Sequence, residues 1–115
     1  MSKHEDPVRL RHMLEAARKA AAFVKDRTRA DLDHEEQLAL ALVRLLEVVG
    51  EAAKSVSVTC RQQHPTIAWK DIAGTRDRLI HGYFDVDLDI VWQIVAADLP
   101  VLIAELERIV PSEPT

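Results

Sequence analysis

Cysteine occurs once in the 115 residues, as Cys60, so no internal disulfide can brace the chain and no paired thiols can build a zinc ribbon or a thioredoxin-like motif. Glycine is nearly as scarce, with three in all, and no glycine-rich loop exists to cradle a phosphate. Aromatic residues make up 4% of the chain, and Trp69 and Trp92, at helical stripe positions, read as packing anchors before base-stacking platforms. No stretch approaches the roughly 20 apolar residues of a membrane span, and Met-Ser-Lys-His-Glu-Asp has no apolar signal core, so a soluble cytoplasmic protein without a membrane partner is expected. A large excess of positive charge is missing too. The formal net charge of −4 argues against coating nucleic acid through bulk electrostatics. Its distribution is uneven: residues 1–30 carry +4, residues 31–84 carry −2 and residues 85–115 carry −6, an asymmetry that suits a local RNA-facing patch, a charged partner or ordinary solvated helix faces.

What is present is apolar material. At 48% hydrophobic residues the chain can bury a real core, and its length supports a single domain over residues 1–115. Asp6-Pro7 is a helix start, with Asp as cap and Pro at the first position, and Leu10, Leu14, Ala17, Ala21 and Val24 then share one stripe to about residue 27. Asp33 and Glu36 have capping-box spacing and open a second, long helix to about residue 56, with Leu38, Leu42, Leu45, Leu46, Val49 and Ala53 apolar. Residues 55–66 mix cap residues with His64-Pro65 and predict a short helical turn inside a connector. A third helix spans 69–81 and stops at Gly82. Asp85-Val86-Asp87 caps a fourth, whose stripe runs Leu88, Val91, Trp92, Val95, Leu99, Leu102, Leu106 and Ile109, with Pro100 expected to kink it. Four amphipathic helices on short links predict an all-α, antiparallel four-helix bundle with a short additional helix and no seat for β-structure. Ile90, Ile94, Ala97 and Val101 give the fourth helix a second apolar face, which calls for a homodimer or for a central, surrounded helix.

The chemistry concentrates in Arg76-Asp77-Arg78-Leu79-Ile80-His81-Gly82-Tyr83. On an ideal helix Arg76 falls inside the apolar stripe of Ile72, Leu79 and Ile80, where a guanidinium must either pair with a carboxylate or phosphate or line a ligand cavity. His81 stands at the helix end with access to solvent, and Asp77, four residues earlier on the same face, is placed to hold its imidazole in one tautomer. Ideal geometry separates Arg76 from His81 by about 140°. Either the last turn unwinds, or the site spans two protomers, with two His81 and two Arg76 converging across a two-fold axis. Tyr83 on residue chemistry alone is a core ring with a bonded hydroxyl.

The spacing Arg76, four residues, His81, one residue, Tyr83 resembles the hallmark of the HepT-like branch of the HEPN superfamily. The likeness extends in order over nearly the whole chain, through residues 46–54, Pro65, Trp69, Ile72, Gly74, residues 85–92 and Asp98-Leu99-Pro100. Many relatives carry Asn where this chain has Asp77. The resemblance implies a HEPN-like homodimer and a metal-independent endoribonuclease toxin without a cofactor, acting on RNA through Arg76 and His81. It implies further a nucleotidyltransferase antitoxin of MNT type, which attaches AMP to the motif tyrosine, here Tyr83.

Other features carry less. His4, His12, His34 and His64 lack metal-ligand spacing, so no metal site is expected. Cys60 has no evident base beside it, and Asp85, Asp87 and Asp89 read as caps and a solvated face rather than a calcium loop. A competing reading is a catalytically silent helical dimer that docks a nucleotidyltransferase. Asp77 and the acidic total favour it, whereas Arg76, His81 and Tyr83 favour the nuclease.

Overall fold

A computed structural model describes residues 5–81 and 85–111. The elements are α1 (Asp6–Phe23), α2 (Asp31–His34), α3 (Glu36–Ser55), α4 (Val58–Gln63), α5 (Trp69–Ala73), α6 (Thr75–Leu79), β1 (Ile80–His81), β2 (Asp85–Val86), α7 (Leu88–Gln93) and α8 (Leu99–Ile109). The chain is predominantly helical, as its periodicity predicts. Among the described residues no helix is long and apolar enough to cross a membrane.

The expected stripes become the core. Leu10, Leu14 and Ala17 of α1, Leu42, Leu46 and Val49 of α3, and Leu99, Leu102 and Leu106 of α8 are all buried. Each large aliphatic side chain taken from water in this way stabilises the fold by roughly 1.5–3 kcal/mol. The alanines Ala16, Ala17 and Ala20 are buried too, and their small side chains let α1 lie close against its neighbours. The connector at residues 55–66 forms the expected short helix, α4, with the Ser57 hydroxyl accepting the Cys60 N–H at 3.1 Å as its cap.

Several local expectations fail, each for a physical reason. α1 ends at Phe23 rather than near residue 27, and Asp26 takes a left-handed conformation at φ 63° that turns the chain. Asp6 does not cap α1. It is the first helical residue, and its buried carboxylate accepts the Ser57 N–H at 2.8 Å and the Ser57 hydroxyl at 2.6 Å. The capping box of Asp33 and Glu36 does not form either, because Asp33 belongs to the separate helix α2, where it pairs with Arg29, and the chain turns at Glu35 before α3 begins.

The helix expected over 69–81 is broken. Gly74 divides α5 from α6, and the chain leaves helix altogether after Leu79. Ile80 and His81 then pair antiparallel with Val86 and Asp85, a small ladder where no β-structure was expected. The fourth helix is interrupted before Pro100 by a π-helical turn over Ile94–Asp98, in which the Leu99 N–H reaches back five residues to the Ile94 carbonyl. Proline withholds an N–H from the preceding turn, and the widened turn is the form that disruption takes here.

Candidate active site

The site is built where α6 runs into the β1–β2 ladder. Its foundation is the close approach of α3 to α5. A Cβ at Gly50 would stand 3.0 Å from the Ile72 carbonyl oxygen, a contact so tight that any larger residue would push the two helices apart by a few tenths of an ångström. The same carbonyl accepts the buried Thr75 hydroxyl at 2.6 Å, which fastens the start of α6 to the end of α5. Leu79, fully buried, anchors the other end of α6 in the core.

Arg76 departs from the ideal-helix expectation. The break at Gly74 resets the helical phase, so counting from Ile72 no longer places it on the apolar stripe. Its side chain is 66% exposed, and its Nε lies 3.9 Å from a Glu47 carboxylate oxygen on α3. Such a contact leaves the guanidinium open to an incoming anion, since an exposed pair at that distance is screened by water.

His81 is also exposed. Its partner is not Asp77, because the face shared by residues four apart exists only within a helix, and the helix stops two residues short of His81. The Asp77 side chain makes no hydrogen bond or ion pair with any described residue. The carboxylate facing the imidazole belongs to Asp87, whose Oδ2 lies 3.7 Å from His81 Nε2. Asp87 also caps α7 as expected, its Oδ1 accepting the Ile90 N–H at 3.1 Å. Reading Asp87 only as a cap missed its second contact. The available signal was the run of strand-favouring Ile80, Tyr83, Phe84 and Val86 around Gly82, which marks a hairpin that folds Asp87 back toward His81. Tyr83 lies outside the described residues.

The junction around Asp87 is clasped from a distance. Arg29, in the segment between α1 and α2, donates through Nε to Asp89 at 2.8 Å and through NH1 to Asp33 at 3.1 Å. These hydrogen bonds, that to Asp89 first, push the Arg29 pKa above its ordinary value and keep it cationic.

Beside the site runs a groove of about 560 Å³, with Ile72, Thr75 and Arg78 on one wall and Ile94, Ala97 and Val101 on the other. Neither Arg76 nor His81 lines it. Val101 is 62% exposed, and Arg78 lies 3.9 Å from Asp98 across the groove. The expected second apolar face of the fourth helix is thus divided, with Ile94 buried and Ala97 and Val101 open to solvent. Among the described residues no three His, Cys, Asp or Glu side chains gather as a metal site would require. Cys60 is buried away from the ladder, and burial, followed by the nearby Asp6 carboxylate, pushes its thiol up.

Comparison with known proteins gives this arrangement a context. The family described as "Ribonuclease HepT-like" matches residues 13–109. "Putative RNase MJ1380" of Methanocaldococcus jannaschii is 34% identical over 107 residues, covering 93% of this chain and 98% of its own. "Putative RNase TTE0752" of Caldanaerobacter subterraneus subsp. tengcongensis is 36% identical over 104 residues, covering 90% of this chain and 93% of its own. "Probable ribonuclease HepT" of Thermococcus cleftensis is 33% identical over 100 residues, covering 87% and 91% respectively. No solved structure matches. With a match that spans most of the residues carrying the fold, and relatives alike from end to end, the chain belongs to the HepT-like ribonuclease family.

Proposed function

We propose that this chain is a metal-independent endoribonuclease, the cytoplasmic toxin of a HEPN/MNT toxin–antitoxin module, working as a homodimer of antiparallel four-helix bundles. The observation that carries the reading is the exposure of Arg76 and His81 at the two ends of one short segment, with the guanidinium held, among the described residues, only by a long contact to Glu47. A buried structural pair would leave neither group able to meet a substrate. The RNase names of the relatives point the same way.

In this mechanism His81 takes the proton of a ribose 2′-hydroxyl as the O2′–P bond forms. The P–O5′ bond breaks, and the leaving O5′ receives a proton from the partner's His81. Arg76 stabilises the charge that builds on the phosphoryl oxygens. The products are a 2′,3′-cyclic phosphate and a 5′-hydroxyl. Dimerisation brings the second imidazole, and the groove with exposed Val101 is the surface through which the two copies meet. The antitoxin is a nucleotidyltransferase of MNT type that attaches AMP to Tyr83. The added phosphate repels RNA and occupies Arg76.

The test is cleavage of RNA by purified wild type beside His81→Ala and Arg76→Ala, with mass spectrometry of the ends. The reading predicts loss of cleavage in both variants at unchanged melting temperature, and cyclic-phosphate ends from wild type. Equal cleavage by all three proteins, or 3′-hydroxyl ends, would overturn it. Val101→Asp should shift the dimer to monomer in analytical ultracentrifugation, and a wild type that sediments as a monomer refutes the paired site.

A further inference from the structure

The geometry points to Asp87 as the residue that positions His81 for catalysis, an inference that rests on the ribonuclease reading. One carboxylate serves two elements. Oδ1 accepts the Ile90 N–H at 3.1 Å and so caps α7, while Oδ2 faces His81 Nε2 at 3.7 Å. The Asp87 backbone N–H donates to the Leu79 carbonyl at 2.8 Å, which closes the ladder that begins with Ile80 and Val86. Two residues on, Asp89 is gripped by Arg29. The backbone beneath the carboxylate is therefore held on three sides, and the cap bond orients the carboxylate itself.

Held in this way, Oδ2 selects the imidazole tautomer that carries its proton on Nε2, leaving the Nδ1 lone pair free for the ribose hydroxyl. A separation of 3.7 Å exceeds a hydrogen bond. A small rotation of the exposed imidazole, open to it in the free protein as well as with substrate bound, closes it. When the 2′-hydroxyl proton moves to Nδ1, His81 becomes an imidazolium whose Nε2–H points at a carboxylate. Asp87 stabilises that cation and exchanges no proton. The other charged groups near this end of the site are Asp85, the ladder partner of His81, and Arg76, Asp77 and Arg78 on α6, with Glu47 of α3 behind Arg76. Asp87 is the one among them whose carboxylate lies in ion-pair range of the imidazole among the described residues.

Asp87→Asn and Asp87→Ser test the inference, because Asp, Asn and Ser cap helices about equally well. With its carbonyl kept on the Ile90 N–H, Asn turns an NH2 group toward His81 and favours the opposite tautomer. Ser is too short to reach the imidazole and favours neither. Single-turnover cleavage of a labelled RNA oligonucleotide should fall about 10-fold in Asp87→Ser and about 100-fold in Asp87→Asn, with KM nearly unchanged and melting temperatures within a few degrees of wild type. Nitrogen NMR of the His81 ring, read on the protein without RNA, should show Nε2–H in wild type and Nδ1–H in Asp87→Asn. A purely structural role predicts the reverse order, since Asn is the closer replacement for Asp. The inference fails, with the ribonuclease reading intact, if His81→Ala is inactive while both Asp87 variants cleave like wild type, or if the tautomer is the same in all three proteins. It also fails if the rate losses track losses of stability. Cleavage surviving His81→Ala sinks the ribonuclease reading itself, a separate result.

Discussion

Replacing Asp6 with alanine should cost the fold about 3 kcal/mol. The carboxylate is 7% exposed and accepts two hydrogen bonds from Ser57, one from the backbone N–H at 2.8 Å and one from the hydroxyl at 2.6 Å. A hydrogen bond to a charged group contributes about 1.5–3 kcal/mol, and at the lower figure the two give the stated loss. Ser57→Ala should cost about 2.5 kcal/mol, since it removes one charge-assisted bond, at about 1.5, and the cap on the Cys60 N–H, at about 1. The double variant should lose only about 4 kcal/mol, because the bond between the two side chains is removed once rather than twice. The coupling is then about 1.5 kcal/mol, the contribution of that shared bond. Urea unfolding at neutral pH measures it. With a slope of about 1.5 kcal/mol per molar, the Asp6→Ala midpoint should fall by about 2 M at unchanged slope. Additive losses, or an Asp6→Ala loss under about 1 kcal/mol, would show that this clasp between α1 and the start of α4 does not hold the fold together.

Two further outcomes follow from the same packing. Gly50→Ala gains about 1 kcal/mol of helix propensity, but its methyl meets the Ile72 carbonyl, a backbone atom that cannot swing aside, and overpacking costs about 1–3 kcal/mol. A lower melting temperature and weaker RNA cleavage are expected; a higher melting temperature refutes the close approach. For Cys60, burial and then Asp6 raise the thiol pKa in the folded state, so that state keeps its proton to higher pH than the unfolded chain does. Stability is complete below the ordinary thiol value and falls as pH rises past about 8.5. Wild type should lose stability above about pH 8.5 more steeply than Cys60→Ala, and its thiol should react with an aromatic disulfide more slowly folded than unfolded; parallel stability curves or equal rates contradict this.

Much of the fold was legible because helices announce themselves locally. The stripes of α1, α3 and α8, the short α4 with its Ser57 cap, and Asp87 as the cap of α7 all depend on neighbours within a turn or two. The site was legible in part. The positions of Arg76 and His81 in the chain point to the family, yet helical periodicity does not describe their surroundings, because helical phase is broken at Gly74 and ends at Leu79. Those two breaks turn Arg76 off the apolar face and set His81 opposite Asp87 instead of Asp77. Nothing in the spacing of Asp77 and His81 reveals that the helix between them has ended.

Periodicity, cap residues and the Arg76-His81-Tyr83 spacing thus determined the helical class, most of the core and the family. Tertiary structure alone decided which polar groups distant in the chain meet. Asp6 finds Ser57 across 51 positions and Arg29 finds Asp89 across 60, distances over which local stereochemistry carries no information. The contact of Asp87 with His81 is closer in sequence but no more readable, since it exists only once the chain reverses between β1 and β2. Backbone preferences act over one helical turn, whereas ion pairs are chosen by the path of the whole chain, and the chemistry of this site rests on the second.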